Sequence, residues 1–174
     1  MKKYTLILAL LLMHLSPKAQ TMKNNEELSK KIQDIEDRMA IKNVVDVFSI
    51  LADQKETQKQ TFLFTENGIV ESHVNGQSGM PLTGRKQIGD AFGAFLSNFE
   101  TVYHINGQQT IDLKGDKAST ISYCLVVLIG MESGKKMKTT MGVYYNDDFV
   151  KENGHWLISK RTSNFVWQEK TEVK

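Results

Sequence analysis

From Tyr103 onward the sequence is almost continuous β-strand, and every stretch with a helical pattern lies before it. Residues 103–113 are followed by the turn Lys114-Gly115-Asp116-Lys117, then by 118–131, Glu132-Ser133-Gly134, 135–150, Glu152-Asn153-Gly154 and 155–168. Turns this short join antiparallel neighbours, because a parallel connection needs a crossover of roughly a dozen residues. Helices first and strands later indicate an α+β fold with helices packed on one face of a curved antiparallel sheet.

The upstream part reads as three helices. Asn24 is a plausible N-cap, and Glu27 three residues on completes a capping-box pattern. Apolar residues then recur at Leu28, Ile32, Ile35, Met39, Val44, Val45, Phe48 and Leu51, which predicts one buried helical face. Lys30, Lys31, Asp34, Glu36, Asp37 and Lys42 form a solvated side. Residues 54–64 read as a second, shorter helix. The turn Thr65-Glu66-Asn67-Gly68, a strand over 69–74 and a glycine-rich loop over 75–81 follow. Thr83 then caps a third helix that buries Ile88, Ala91, Phe92, Phe95 and Phe99. No repeat or Pro/Ser linker divides the chain, so residues 24–170 are expected to be one domain.

Ahead of that domain, Lys2 and Lys3 precede an apolar run over 4–15 and the polar tail Ser16-Pro17-Lys18-Ala19-Gln20. This is the pattern of a secretory signal over residues 1–20. The run is too short to span a bilayer, which takes roughly 20 residues. An exported protein, periplasmic or secreted and free of the membrane after cleavage, is therefore expected. Three of the 22 basic residues fall in that segment and none of the 20 acidic ones does, so the remainder carries 19 basic charges against 20 acidic. A near-neutral domain lacks the basic stripe of a nucleic-acid binder. Cys124 is the only cysteine, so no internal disulfide exists; within an apolar strand it reads as a small buried hydrophobe. No two histidines of the domain stand at ligand spacing and no cysteine pair exists, so no metal is expected. No phosphate loop, dinucleotide fingerprint or serine nucleophile elbow is present, and no cofactor is expected.

The segment 123–129 is apolar at both parities, whereas an antiparallel strand with one wet face alternates. Either the C-terminal tail covers its outer face or another subunit does; a homodimer through the outer sheet face is the preferred reading.

Two residues bear most on chemistry. Asp53 ends the first helix and His104 opens the first long strand, so folding the helix back over the sheet brings a carboxylate to an imidazole. A carboxylate fixes the ring's tautomer and raises its basicity, which equips histidine to move protons near neutral pH. Asn106 and Gln108 share strand parity with His104 and are expected to line the same pocket. Tyr144, Tyr145 and Trp167 are candidates for core or interface, with Tyr144 and Trp167 taken as aromatic pocket walls. His73 could reach the pocket mouth, and His155 lies in an exposed turn.

A long helix ending in Ala52-Asp53, then Phe62-Leu63-Phe64-Thr65-Glu66-Asn67-Gly68, Leu82-Thr83-Gly84-Arg85-Lys86-Gln87-Ile88, Tyr103-His104-Ile105-Asn106 and Gly154-His155-Trp156-Leu157 resembles the SnoaL-like branch of the nuclear-transport-factor-2-like superfamily. The resemblance implies a cone-shaped sheet, with three N-terminal helices on its concave face and a ligand pocket at the mouth. In scytalone dehydratase and the bile-acid dehydratases of that superfamily an aspartate and a histidine form an acid/base pair. Asp53 and His104 occupy those positions. The tyrosine such enzymes carry before the aspartate falls near Phe48 or Ala52, and the second histidine of scytalone dehydratase falls near Cys124. Two functions follow as expectations. One is a cofactor-independent lyase or isomerase acting on an apolar cyclic molecule; the other is a non-catalytic binding or carrier protein, with Phe48 as a ligand-contacting residue.

Overall fold

The computed structural model describes residues 17–74 and 76–174, with side chains from Met22 onward. Residues 1–16, most of the expected signal segment, lie outside the described residues. The chain divides into two compact units, Met1–Ile35 and Glu36–Lys174. The described part of the first is helix α1 (Pro17–Asp53), which continues into the second. Asn24 lies inside this helix rather than capping it.

In the second unit α1 buries Ile41, Val44, Val45, Phe48 and Ala52. The expected single apolar face is in fact two: Leu28, Ile32, Ile35 and Met39 are exposed. Between Met39 and Ile41 the helix turns by about 200°, so the apolar residues change sides there. After Asp53 the chain turns through Lys55, whose φ is +58°, into a helix shorter than expected, α2 (Thr57–Thr61). Strand β1 (Phe64–Val74) begins earlier than the turn signal suggested and pairs with two short strands, β2 (Gln77–Ser78) and β3 (Leu82–Thr83). Gly84, at φ +81°, stands at the N-cap of helix α3 (Arg85–Leu96) in place of Thr83. One residue before that cap, the Thr83 N–H donates to Gln87 Oε1 at 2.7 Å.

Strands β4 (Thr101–Lys114), β5 (Lys117–Glu132), β6 (Lys135–Glu152) and β7 (His155–Glu172) form the expected antiparallel meander. The sheet order is β2-β1-β7-β6-β5-β4, with β3 also on β1. It is a curved, unclosed, mixed sheet, because β1 lies parallel to β7. Parallel pairing requires a long connection, and α3 with three strands of the meander supplies it.

Irregularities in the ladders decide which side chains face inward. Asn106 pairs with Cys124 and Gln109 with Ser122, so two residues of β4 oppose Tyr123 alone. On β7 the register shifts at Ser159 and again at Val166. Each such bulge exchanges the two faces of the strand beyond it.

The inner face carries two apolar clusters. One joins Phe48, Phe64, Phe149, Trp156 and Ile158, and the other Ala52, Leu96, Val126, Leu128 and Met141. One polar tie between α1 and the sheet is the buried Asp37, which accepts from Trp156 Nε1 at 2.8 Å and from Lys151 Nζ at 2.7 Å. On the outer face Tyr103, Ile105 and Tyr123 are exposed, and Leu125, Val127 and Ile129 are half-buried. The C-terminal residues continue β7 as far as Glu172 rather than folding across that face.

Candidate active site

Asp53, the last residue of α1, and His104, the fourth residue of β4, meet at the inner face of the sheet. His104 Nδ1 lies 2.6 Å from Asp53 Oδ1, and the His104 backbone N–H donates to Asp53 Oδ2 at 3.3 Å. The helix thus ends with its acid doubly held by the strand. Burial lowers the pKa of His104 from 6.5, outweighing the upward pull of Asp53, and the charge of Arg161 adds to the lowering. The ring is therefore neutral at pH 7. With Nδ1–H donating to the carboxylate, Nε2 keeps its lone pair for a proton.

His104 lines a cavity of about 680 Å³, within the range of small-molecule sites. The walls are apolar: Phe92, Phe95 and Phe99 lie on the helical side, and Met131, Met137 and Met141 on the sheet. Methionines fill irregular space adaptably, which suits a wall that must follow a ligand's outline. At the rim Lys170 Nζ and Glu132 Oε2, both lining residues, form an ion pair at 2.5 Å.

Beneath the cavity lies a buried charge pair. Arg161 binds Asp147 through two parallel bonds, Nε to Oδ1 at 2.8 Å and Nη2 to Oδ2 at 2.7 Å. Its guanidinium carbon lies 4.1 Å from the centroid of the Phe48 ring and 4.4 Å from that of Tyr145, two rings that meet each other edge-on. Burial alone would favour the neutral guanidine, but Asp147 outweighs it and keeps Arg161 charged. Gln60, fully buried on α2, donates from Nε2 to the Phe48 carbonyl at 2.9 Å and also lines the cavity.

The other residues singled out from sequence fall in different places. Phe48 is on the cavity wall. Asn106 instead ties α1 to β4: its carbonyl accepts from Ser49 Oγ at 2.9 Å and its amide donates to Asp46 at 3.1 Å. Gln108 is exposed, because the bulge passes its inward role to Gln109, which donates to Ser122 Oγ at 3.0 Å. Tyr144 faces outward against Tyr123, with ring centroids 5.9 Å apart, while its neighbour Tyr145 lines the cavity. Trp167 is 49% exposed and covers Gly142 on the outer face, since the bulge at Val166 reverses its parity. His73 is half-buried at the end of β1, and His155 is exposed. Burial raises the Cys124 thiol to about 11, so it is inert at neutral pH. Among the described residues no group of three or more His, Cys, Asp or Glu side chains is placed to hold a metal ion.

The fold that carries this site is shared with known proteins. The SnoaL-like domain family matches residues 33–162. The chain belongs to that family. An uncharacterized protein of Mycobacterium tuberculosis is 24% identical over 139 residues, 79% of this chain and 91% of the relative. A candidate scytalone dehydratase from Novosphingobium aromaticivorans superposes with a TM-score of 0.70 at 19% identity, covering 83% of this chain and 93% of that one. LinA superposes with a TM-score of 0.71 at 15% identity, covering 81% and 93%. At such identities these likenesses establish the fold alone.

Arg161, Asp147 and Gln60 of this SnoaL-like protein escaped the sequence reading, whereas Tyr145, read there as core or interface, lines the cavity. Arg161 and Asp147 stand among charged strand residues that resemble a solvated face, and only the register shift at Ser159 turns Arg161 inward. Tyr145 shares parity with Met141 and Val143, so alternation along β6 carried its signal.

A depressed His104 pKa has a definite consequence for stability. The unfolded chain binds the proton more readily, so the contribution is fully present above pH 6.5 and is lost as pH falls through the folded value. In NMR titration the His104 ring should show a midpoint below 6.5. Between the two values the unfolding free energy should fall more steeply with decreasing pH than in a His104→Asn protein. A midpoint at or above 6.5 would contradict this assignment.

Proposed function

We propose that this SnoaL-like protein is a cofactor-independent lyase or isomerase acting on an apolar cyclic molecule, with Asp53 and His104 as its acid/base pair. The observation that carries the reading is the 2.6 Å contact between His104 Nδ1 and Asp53 Oδ1 at the wall of a largely apolar cavity. Nε2 of neutral His104 takes a proton from a carbon of the bound molecule while Asp53 stabilises the imidazolium that forms. The electron pair released makes the new double bond. A leaving group on the adjacent carbon departs, and a departing hydroxide receives the imidazolium proton. Without a leaving group the electron pair enters a double bond already adjacent to that carbon, and the imidazolium returns the proton at the far end of the shifted bond, which is isomerisation. The buried Arg161 contributes a positive field beneath the site, favouring the negative charge that develops on the substrate. The candidate dehydratase and a type 2 hexachlorocyclohexane dehydrochlorinase (LinA) among the structural relatives support an elimination or isomerisation reading.

The direct test is hydrogen–deuterium exchange at the carbon next to the carbonyl of 2-tetralone, followed by NMR. Exchange above the buffer rate in the wild type, and buffer-rate exchange in His104→Ala, is expected. Equal rates in both proteins would sink the catalytic reading. A binding or carrier role is favoured by one feature, the Phe48 ring on the cavity wall, near which the resemblance to the dehydratases would put a phenol (at Phe48 or Ala52). It predicts bound tetralone with no exchange.

Export through residues 1–20 belongs to the same reading, supported by the basic start and apolar run of that segment. So does a homodimer through the outer sheet face, supported by the exposed Tyr103, Ile105 and Tyr123. Tyr123→Lys should shift the chain towards monomer in sedimentation equilibrium. An unchanged mass distribution would remove that interface.

A further inference from the structure

The apolar stripe that the helix leaves uncovered has the spacing of a coiled-coil seam. Leu28, Ile32, Ile35 and Met39 recur at intervals of four, three and four residues and are 56%, 47%, 58% and 68% exposed. That alternation places Ile32 and Met39 at the a positions of a heptad and Leu28 and Ile35 at the d positions. Extending the register back one step puts Asn25 at the preceding a position. A single asparagine there pairs with its own counterpart and selects a parallel, in-register, two-stranded arrangement at some cost in stability.

The flanking charges agree. Lys31 falls at a g position and Glu36 at the e position of the next heptad, five residues on. In a parallel pair g faces that e of the partner, so Lys31 meets Glu36 twice across the two-fold axis. An antiparallel pair would bring g against g, setting Lys31 against Lys31 or Arg38. The seam is short, but α1 runs as one helix to Asp53, so pairing need not pay for helix nucleation.

We propose that residues 25–39 form a short parallel coiled coil with the same segment of a second copy of this chain. None of these residues lines the cavity. The test is cysteine cross-linking of the full chain with diamide, which takes two hydrogens from a pair of thiols as they join. Native Cys124 is buried and stays out of the reaction. Asn25→Cys, at the seam, should cross-link at least about tenfold faster than Lys30→Cys, on the far side of the helix, because the seam holds the two thiols at high effective concentration. Ile32→Lys should abolish the difference. Lys31→Glu should slow cross-linking, and adding Glu36→Lys should restore it. Equal rates for Asn25→Cys and Lys30→Cys would overturn the proposal, even if a dimer persists through the sheet face. So would cross-linking that survives Ile32→Lys.

Discussion

Arg161→Ala is expected to destabilise the folded chain by about 3–5 kcal/mol, the largest effect of any single substitution considered. Arg161 and Asp147 are both fully buried and joined by two bonds of 2.8 and 2.7 Å. Truncating the arginine leaves the Asp147 carboxylate in a low-dielectric interior without its cation. It also removes the cation that lies against the Phe48 and Tyr145 rings, 4.1 and 4.4 Å from their centroids. Urea unfolding should report the loss directly, and the melting temperature should fall by about 10 °C or more. A companion experiment separates the pair's attraction from the cost of burying an orphan charge. An Arg161→Met/Asp147→Leu protein should recover most of the stability, since well-packed apolar residues often replace a buried pair at little cost. If Arg161→Ala costs under about 1 kcal/mol, the pair is more hydrated than its burial implies. Removing the guanidinium charge should also raise the pKa of His104, because Arg161 contributes to its depression.

His104→Ala should reduce proton exchange or turnover by about 10²–10⁴-fold, the usual contribution of a positioned acid/base residue. The affinity for an apolar ligand should stay within a few-fold, because the cavity is walled mainly by phenylalanine, methionine and aliphatic side chains. Asp53→Asn tests the positioning role. It keeps the shape but removes the charge that stabilises the imidazolium, and it lowers the pKa of His104 further by deleting the interactions that raise it. Turnover should fall by about 10²-fold, and the acid limb of the pH–rate profile should move to lower pH. The wild-type profile should be flat above pH 6.5 and decline below it, since the neutral imidazole is the active form. A profile rising steadily through pH 8 would assign the base to another group.

The meeting of Asp53 and His104 could be anticipated because it depends on features that tolerate small errors. A helix ending on an acid and a strand opening on a histidine come together whenever that helix folds across the sheet. Cys124 was legible for a similar reason, as a small residue in an apolar strand with no partner cysteine. Asn106 shows the limit. Its inward parity is real, yet its bonds to Ser49 and Asp46 engage it with α1 rather than with the cavity. Tyr144 and Tyr145 stand side by side on β6, and alternation from Met141 and Val143 was the only guide to which one faces in.

By itself the amino-acid order determined the order of the three helices and the long strands, the short turns that enforce the meander, and the exclusion of disulfides within the chain. These follow from local patterning, in which turn residues and apolar periods act over a few positions. Tertiary structure decided what lies on each face. A single extra residue in a strand reverses the parity of everything beyond it, and β4 and β7 contain such bulges. They turn Gln108 and Trp167 outward and bring Arg161 into the core. The parallel pairing of β1 with β7 was equally out of reach, because it joins segments that are distant in the chain. Local sequence encodes a strand's period well, but its phase depends on the partner strand and on the side chains that must be buried together.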